Sequence, residues 1–192
     1  MLNDQDKYLL KTDLPEFCSL SGKARKKLLE WDKHKKEIDR PDWDTHFLSL
    51  ALVASLRSHD AQTQCGCIIV NDNHVIGMGY NGFPRPAKER YLPNLRPEKY
   101  PFMVHSEMNA LFNCSVSPKG STAYITHKPC NACLLHMIQA GIVEIVHIDN
   151  HVVMESDEKS EILSEILAWT GKIDMRAVQP NFTHLKNLVQ TI

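Results

Sequence analysis

Between Trp43 and Ser58 the apolar residues Phe47, Leu50, Ala51, Ala54 and Leu56 approximate one face of an amphipathic helix. Cys67 to Val70 is a short β-branched run suited to a buried strand. Asn71-Asp72-Asn73 supplies a turn, and Val75 to Tyr80 returns as the hairpin partner. Downstream the pattern predicts a helix from about His105 to Asn113, a turn at Ser117-Pro118-Lys119-Gly120 and a strand from Thr122 to Thr126. Pro129 opens another helix that ends near Gly141, and Val143 to Ile148 is a further buried strand. Ser156 to Trp169 reads as a helix capped by Ser156 and stopped by Gly171, with Lys172 to Val178 as the last strand. Strands alternating with helices imply an α/β fold whose sheet is at least partly parallel and covered by helices.

Two stretches fall outside this alternation. Residues 1–41 form a polar, lysine-rich extension in which Leu28, Trp31 and Ile38 make a thin apolar stripe at helical spacing between Ser21 and Asp39. Lys23, Arg25, Lys26, Lys27, Lys33, Lys35 and Lys36 line its basic face. A solvated face on a short helix accounts for that charge; subunit contact or anion attraction is the alternative. Pro41-Asp42 introduces the main domain, residues 42–178, and residues 179–192 are a C-terminal tail. Phe83 to Val104 differs again, with 22 residues, five of the chain's ten prolines and no clear period. Loops that long usually have a function, so this insert is read as a lid or effector loop, with an inert excursion as the alternative.

Composition narrows the class. A chain of 192 residues, 43% hydrophobic and 23% charged, buries a proper core as one domain. Its formal charge of −1 argues against a general nucleic-acid binder, which would be markedly basic. A small anionic substrate needs only one or two local cations. Met1 to Asp6 carries acids where a secretory signal carries basic residues, and the longest apolar runs, such as Ile68-Ile69-Val70, are far too short to span a membrane. Six cysteines in a chain of this size are expected as buried thiols or metal ligands in a reducing compartment, and the protein is expected in the cytoplasm.

Two motifs carry chemistry: His105-Ser106-Glu107 and Pro129-Cys130-Asn131-Ala132-Cys133, each at the start of a predicted helix. Helix N-termini present free N–H groups and partial positive charge, which favour thiolates and developing anions. Cys130 and Cys133, three apart, project to one side of the first turn and can pinch one metal ion. With His105 as third ligand, two thiolates balance the charge of Zn2+ and one coordination position stays open, the mark of a catalytic zinc. Glu107, two residues from His105, is a poor ligand beside two thiolates and a good proton carrier. A closed structural zinc with His136 as fourth ligand is the rival reading, but His136 lies ~4.5 Å deeper along the helix than Cys133. Cys114 is ~13.5 Å along a helix from His105, too far to join. Cys65 and Cys67 are expected as core thiols. His-x-Glu followed by Pro-Cys-x-x-Cys is the pattern of zinc deaminases acting on nucleobases.

The flanking residues carry a narrower resemblance. Arg57 to Gly66 leading into Cys67-Ile68-Ile69-Val70-Asn71, then Gly79-Tyr80-Asn81-Gly82-Phe83-Pro84, then Lys99-Tyr100-Pro101-Phe102 before His105, and finally Pro129 to Cys133 resemble the motifs of the deoxycytidylate (dCMP) deaminases. The likeness runs from about Trp43 to Arg176. It implies a cytidine-deaminase-like three-layer α/β/α fold around a five-stranded mixed sheet. It implies hydrolysis of dCMP to dUMP and ammonia, feeding thymidylate synthesis, with Glu107 moving protons to N3 and the amino group of cytosine. His105, Cys130 and Cys133 would hold one Zn2+ per subunit. Asn81 would hold the sugar 3′-hydroxyl, and Arg57 would contact the phosphate; an Asn-Gly turn and an ordinary surface arginine are the plainer readings. Ser106, also a substrate-binding candidate, replaces an alanine usual in the family, and its backbone N–H is expected to carry that position's role. Asn150 to Met154 departs from the aromatic-rich stretch of many relatives. The family further implies a homo-oligomer, in some members a hexamer, and dCTP or dTTP effectors, with Mg2+ accompanying a nucleotide effector. The insert's Arg85, Lys88, Arg90, Arg96 and Lys99 would serve such a role. The rival enzymes are a deaminase acting on another cytosine nucleotide, dCTP or a modified dCMP, and a tRNA adenosine deaminase; the non-enzymatic rival is an inactive deaminase-fold interaction module.

Overall fold

The structure, a computed structural model, describes residues 15–36, 40–149 and 158–190. It divides into two compact units, residues 1–40 and 41–192. The first holds helices α1 (Pro15–Ser19) and α2 (Gly22–Lys33). Ser21 caps α2 by accepting from the Ala24 N–H, and Lys27 lies over the Trp31 ring. Ile38, the last residue of the expected stripe, lies outside the described residues.

The second unit is built on a five-stranded sheet of order β2-β1-β3-β4-β5. Its strands are β1 (Gly66–Asn71), β2 (His74–Tyr80), β3 (Thr122–Ile125), β4 (Glu144–Ile148) and β5 (Asp174–Val178). β2, β1 and β3 pair antiparallel, whereas β3, β4 and β5 run parallel. Asp72 and Asn73 take positive φ and close the β1–β2 hairpin as a two-residue turn.

Residues alternate across the sheet and build a core on each face. Cys67, Ile69, Ala123, Ile125 and Ile145 pack against Ala110 of α4 (Ser106–Phe112) and Leu134 and Met137 of α5 (Asn131–Ala140). Leu167 and Ala168 of α6 (Glu158–Gly171) join that side. Ile68, Val70, Tyr124 and Val146 face the other way, onto Phe47, Leu48, Ala51 and Ala54 of α3 (Trp43–Ser55). Three α/β/α layers result, as the resemblance implied.

Boundaries shift where local bonding decides them. The helix expected to reach Ser58 ends at Ser55, because the N–H groups of Leu56, Arg57 and Ser58 bond back three residues and tighten the last turn. The C-terminal tail is not featureless. Asn181 accepts from the Thr183 N–H and hydroxyl at the start of α7 (Thr183–Gln190), and Phe182 packs against the α3-side core. Ser156, the expected cap of α6, and the stretch from Asn150 to Met154 lie outside the described residues. No helix among the described residues is long and apolar enough to cross a membrane.

Candidate active site

Three close approaches place the first motif. Gly79 on β2 lies so near α4 that a Cβ there would meet the Ala110 nitrogen at 2.2 Å and the Ser106 oxygen at 2.4 Å. Asn109 of α4 and Asn113, the residue that ends it, donate to the Tyr80 and Met78 carbonyls of β2. Val104 pairs with Gly82 through reciprocal backbone hydrogen bonds of 2.8 and 3.0 Å. His105 follows that bridge directly and is the N-cap of α4, with no side-chain bond to its own helix. Cys130 occupies the same position at the start of α5, also without a side-chain cap. Both side chains are therefore not used in capping their own helices.

His105 Nδ1 lies 3.6 Å from Cys130 Sγ and 3.4 Å from Cys133 Sγ. All three ligand atoms fall within 4.8 Å of one another. Tetrahedral zinc with Zn–S of ~2.3 Å and Zn–N of ~2.0–2.1 Å separates sulfur from nitrogen by ~3.6 Å. The residues thus fit a zinc ion without rearrangement. Among the described residues no other group of three such ligands comes together. His136, the rival fourth ligand, is exposed and bonds the Ala132 carbonyl of its own helix. Cys114 bonds the Ala110 carbonyl, and Cys67 is fully buried.

Cys133 is buried whereas His105 and Cys130 are exposed, so the site opens on the side of those two residues. Hydrogen bonds from Cys133 and His105 lower the Cys130 thiol below its ordinary value. Cys133, bonded to that thiol and buried, is pushed up, and the Cys130 partner raises His105. Glu107 is 6% exposed, and burial raises its carboxyl above the usual range. Its own backbone N–H and Ser106 act in the opposite direction. The Ser106 hydroxyl, fully buried, donates to Glu107 Oε2 at 2.8 Å.

The family model for the cytidine and deoxycytidylate deaminase zinc-binding region matches residues 41–148, more than half of the chain. The chain belongs to the cytidine and deoxycytidylate deaminase family. The human deoxycytidylate deaminase is 36% identical over 132 residues, which cover 65% of this chain and 74% of that protein. The mouse deoxycytidylate deaminase is 31% identical over 159 residues, 79% of this chain and 88% of that one. The dCMP deaminase of cyanophage S-TIM5, solved in complex with dCMP and dUMP, superposes with a TM-score of 0.59 at 22% identity. That alignment covers 73% of this chain and all of the cyanophage chain and shows the shared deaminase fold.

The other residues singled out from sequence have different surroundings in this deaminase domain. Asn81 is buried and its amide is occupied: Oδ1 accepts from the Ser58 hydroxyl and the Cys65 N–H, and Nδ2 donates to the Thr63 carbonyl and Asp60 Oδ2. Asn81-Gly82 is not a tight turn, since Gly82 pairs with Val104 and neither residue takes positive φ. Arg57 is exposed just beyond α3. Lys99, grouped by sequence with the basic insert, is instead buried against Asp60. Asp60 itself was missed; the signal was its place inside the Arg57–Gly66 motif, opposite a motif lysine. Glu89 of the insert pairs with His59 at 2.7 Å, and Arg96 bonds Gln62 and Thr63. The 83–104 insert is therefore closed at its base by the Gly82–Val104 bridge and docked along residues 59–63.

Proposed function

We propose that the chain is a zinc-dependent hydrolase that converts dCMP to dUMP with release of ammonia. The observation that carries this is a buried carboxyl, Glu107, beside a His105–Cys130–Cys133 set of zinc-compatible spacing in a chain 31–36% identical to mammalian deoxycytidylate deaminases.

His105, Cys130 and Cys133 would hold the ion, which supplies the Lewis acidity that makes water nucleophilic near neutral pH. Glu107 takes a proton from the water that adds to C4 of cytosine and delivers it to N3. It then takes the proton of the new C4 hydroxyl and hands it to the amino group, which leaves as ammonia while the C4 carbonyl forms. Burial suits this exchange, because a carboxyl raised toward neutrality both accepts and returns protons. Ser106 holds one Glu107 oxygen in place. Asn81, saturated by its own chain, would shape the sugar pocket through the backbone it braces, and Arg57 remains an exposed cation available to a phosphate. Effector nucleotides with Mg2+, a homo-oligomeric assembly and a cytoplasmic setting belong to the same reading.

The test is ammonia release from dCMP, dCTP, deoxycytidine and tRNA offered separately, each with and without added dCTP and dTTP. Turnover of dCMP in preference to the others supports the assignment. Preferential turnover of tRNA, or zinc binding with no turnover of any cytosine substrate, overturns it.

A further inference from the structure

Asn131 stands between the two sulfur ligands, and its amide is engaged at both ends by α6. Oδ1 accepts from the Ser164 hydroxyl at 2.5 Å, and Nδ2 donates to the carbonyl and hydroxyl oxygens of Ser160 at 3.3 Å. Ser160 and Ser164 are one turn apart, so they present neighbouring groups to the same partner. Ser164 is only 5% exposed, which shields its bond from water. The same two helices also meet at Gly171, where a Cβ would strike Ile138 of α5 at 2.7 Å.

The two cysteines differ in how they are held. Cys133 is 3% exposed and followed by Leu134 and Met137, both fully buried, so the core fixes it. Cys130 is exposed, precedes the first helical residue and has no side-chain cap. Its backbone is set by buried Pro129 on one side and by Asn131 on the other. We propose that Asn131 is a positioning residue for the metal site, bracing the Cys130 ligand against α6 through Ser164. Without the brace the first turn of α5 frays and the Cys130 sulfur leaves the spacing that zinc requires.

This inference rests on the reading that His105, Cys130 and Cys133 hold zinc. It is tested on the full chain by chelator competition for Zn2+ and by the visible spectrum of the Co2+-substituted protein, for wild type, Asn131→Ala, Ser164→Ala and the double variant. Supporting residues of metal ligands are commonly worth ~10–100-fold in affinity. Asn131→Ala is expected to weaken zinc about tenfold or more and to perturb the tetrahedral Co2+ bands. Ser164→Ala should do so to a smaller degree, and the double variant should be no weaker than Asn131→Ala alone, because both changes cut one connection. If Asn131→Ala does not fold, Ser164→Ala decides. A zinc-binding wild type with variants of unchanged affinity and spectrum overturns this inference alone. A wild type that binds no zinc overturns the metal reading and this inference together.

Discussion

The Lys99 ammonium lies 2.5 and 2.6 Å from the two carboxylate oxygens of Asp60, with the side chains 2% and 5% exposed. The pair joins the far end of the 83–104 insert to the segment that leads into β1. Asp60 also accepts from the Gln62 and Thr63 N–H groups and from Asn81, so its lone pairs are fully used. Removing the cation leaves a buried carboxylate without its counter-charge. Lys99→Met is therefore expected to cost about 3–5 kcal/mol of stability, read from urea denaturation. A cost under about 1 kcal/mol would mean that the pair behaves like a solvent-exposed one.

The same pair makes the fold sensitive to acid. Burial alone would raise the Asp60 carboxyl, but hydrogen bonds from Lys99, Thr63 and Gln62 outweigh it and hold the group below the usual carboxylate value. A depressed folded-state pKa gives stability that is fully present above the unfolded value of ~3.9 and is lost as pH falls through the folded value. Stability measured at successive pH values should fall below about pH 4 with net proton uptake on unfolding. Lys99→Met should show a shallower loss over that window. Identical acid profiles for the two proteins would refute a role for Asp60.

The strand–helix alternation and the Cys-x-x-Cys pair were legible because each rests on a short-range pattern, whereas His105, 25 residues from Cys130, is joined to the pair by the motif and not by local spacing. Alternation along Cys67 to Val70 sends odd and even residues to different cores, and Cys-x-x-Cys at a helix mouth converges by helical geometry alone. The insert was not legible, because its order comes from long-range polar contacts. Lys99 looks like one more surface cation until Asp60, 39 residues earlier, is seen beside it. Asn131 was unreadable for the same reason, since its partners lie 29 and 33 residues away on α6. The Ser106 side chain was assigned no role, because nothing in the spacing tells whether its hydroxyl turns toward Glu107. The helix at Thr183–Gln190 was lost in a tail whose entry residue, Asn181, follows a proline and reads equally well as a turn.

Glu107 carries the proton traffic in the proposed reaction, and its neighbours bear on how to test that. Gln at this position keeps an oxygen for the Ser106 hydroxyl to bond and fits the same buried volume, but cannot exchange a proton. Glu107→Gln is expected to retain zinc and thermal stability while losing about 10²–10⁴-fold in kcat. Zinc content by metal analysis and steady-state kinetics with dCMP check both halves. Near-normal turnover in a zinc-loaded Glu107→Gln protein would remove Glu107 from the proton pathway.

Metal removal should expose the asymmetry between the sulfur ligands. Cys130 is exposed and its bonds from Cys133 and His105 lower its thiol, whereas Cys133 is buried and is pushed up by its bond to Cys130 and by burial. Thiolate character and access together govern alkylation, although a strongly depressed pKa lowers the intrinsic nucleophilicity of each thiolate. After chelation, iodoacetamide should modify Cys130 well before Cys133, and restoring Zn2+ beforehand should protect both. Peptide mapping by mass spectrometry identifies the order. Equal rates at the two cysteines, or no protection by zinc, would contradict a shared metal site in which Cys130 lies on the open side.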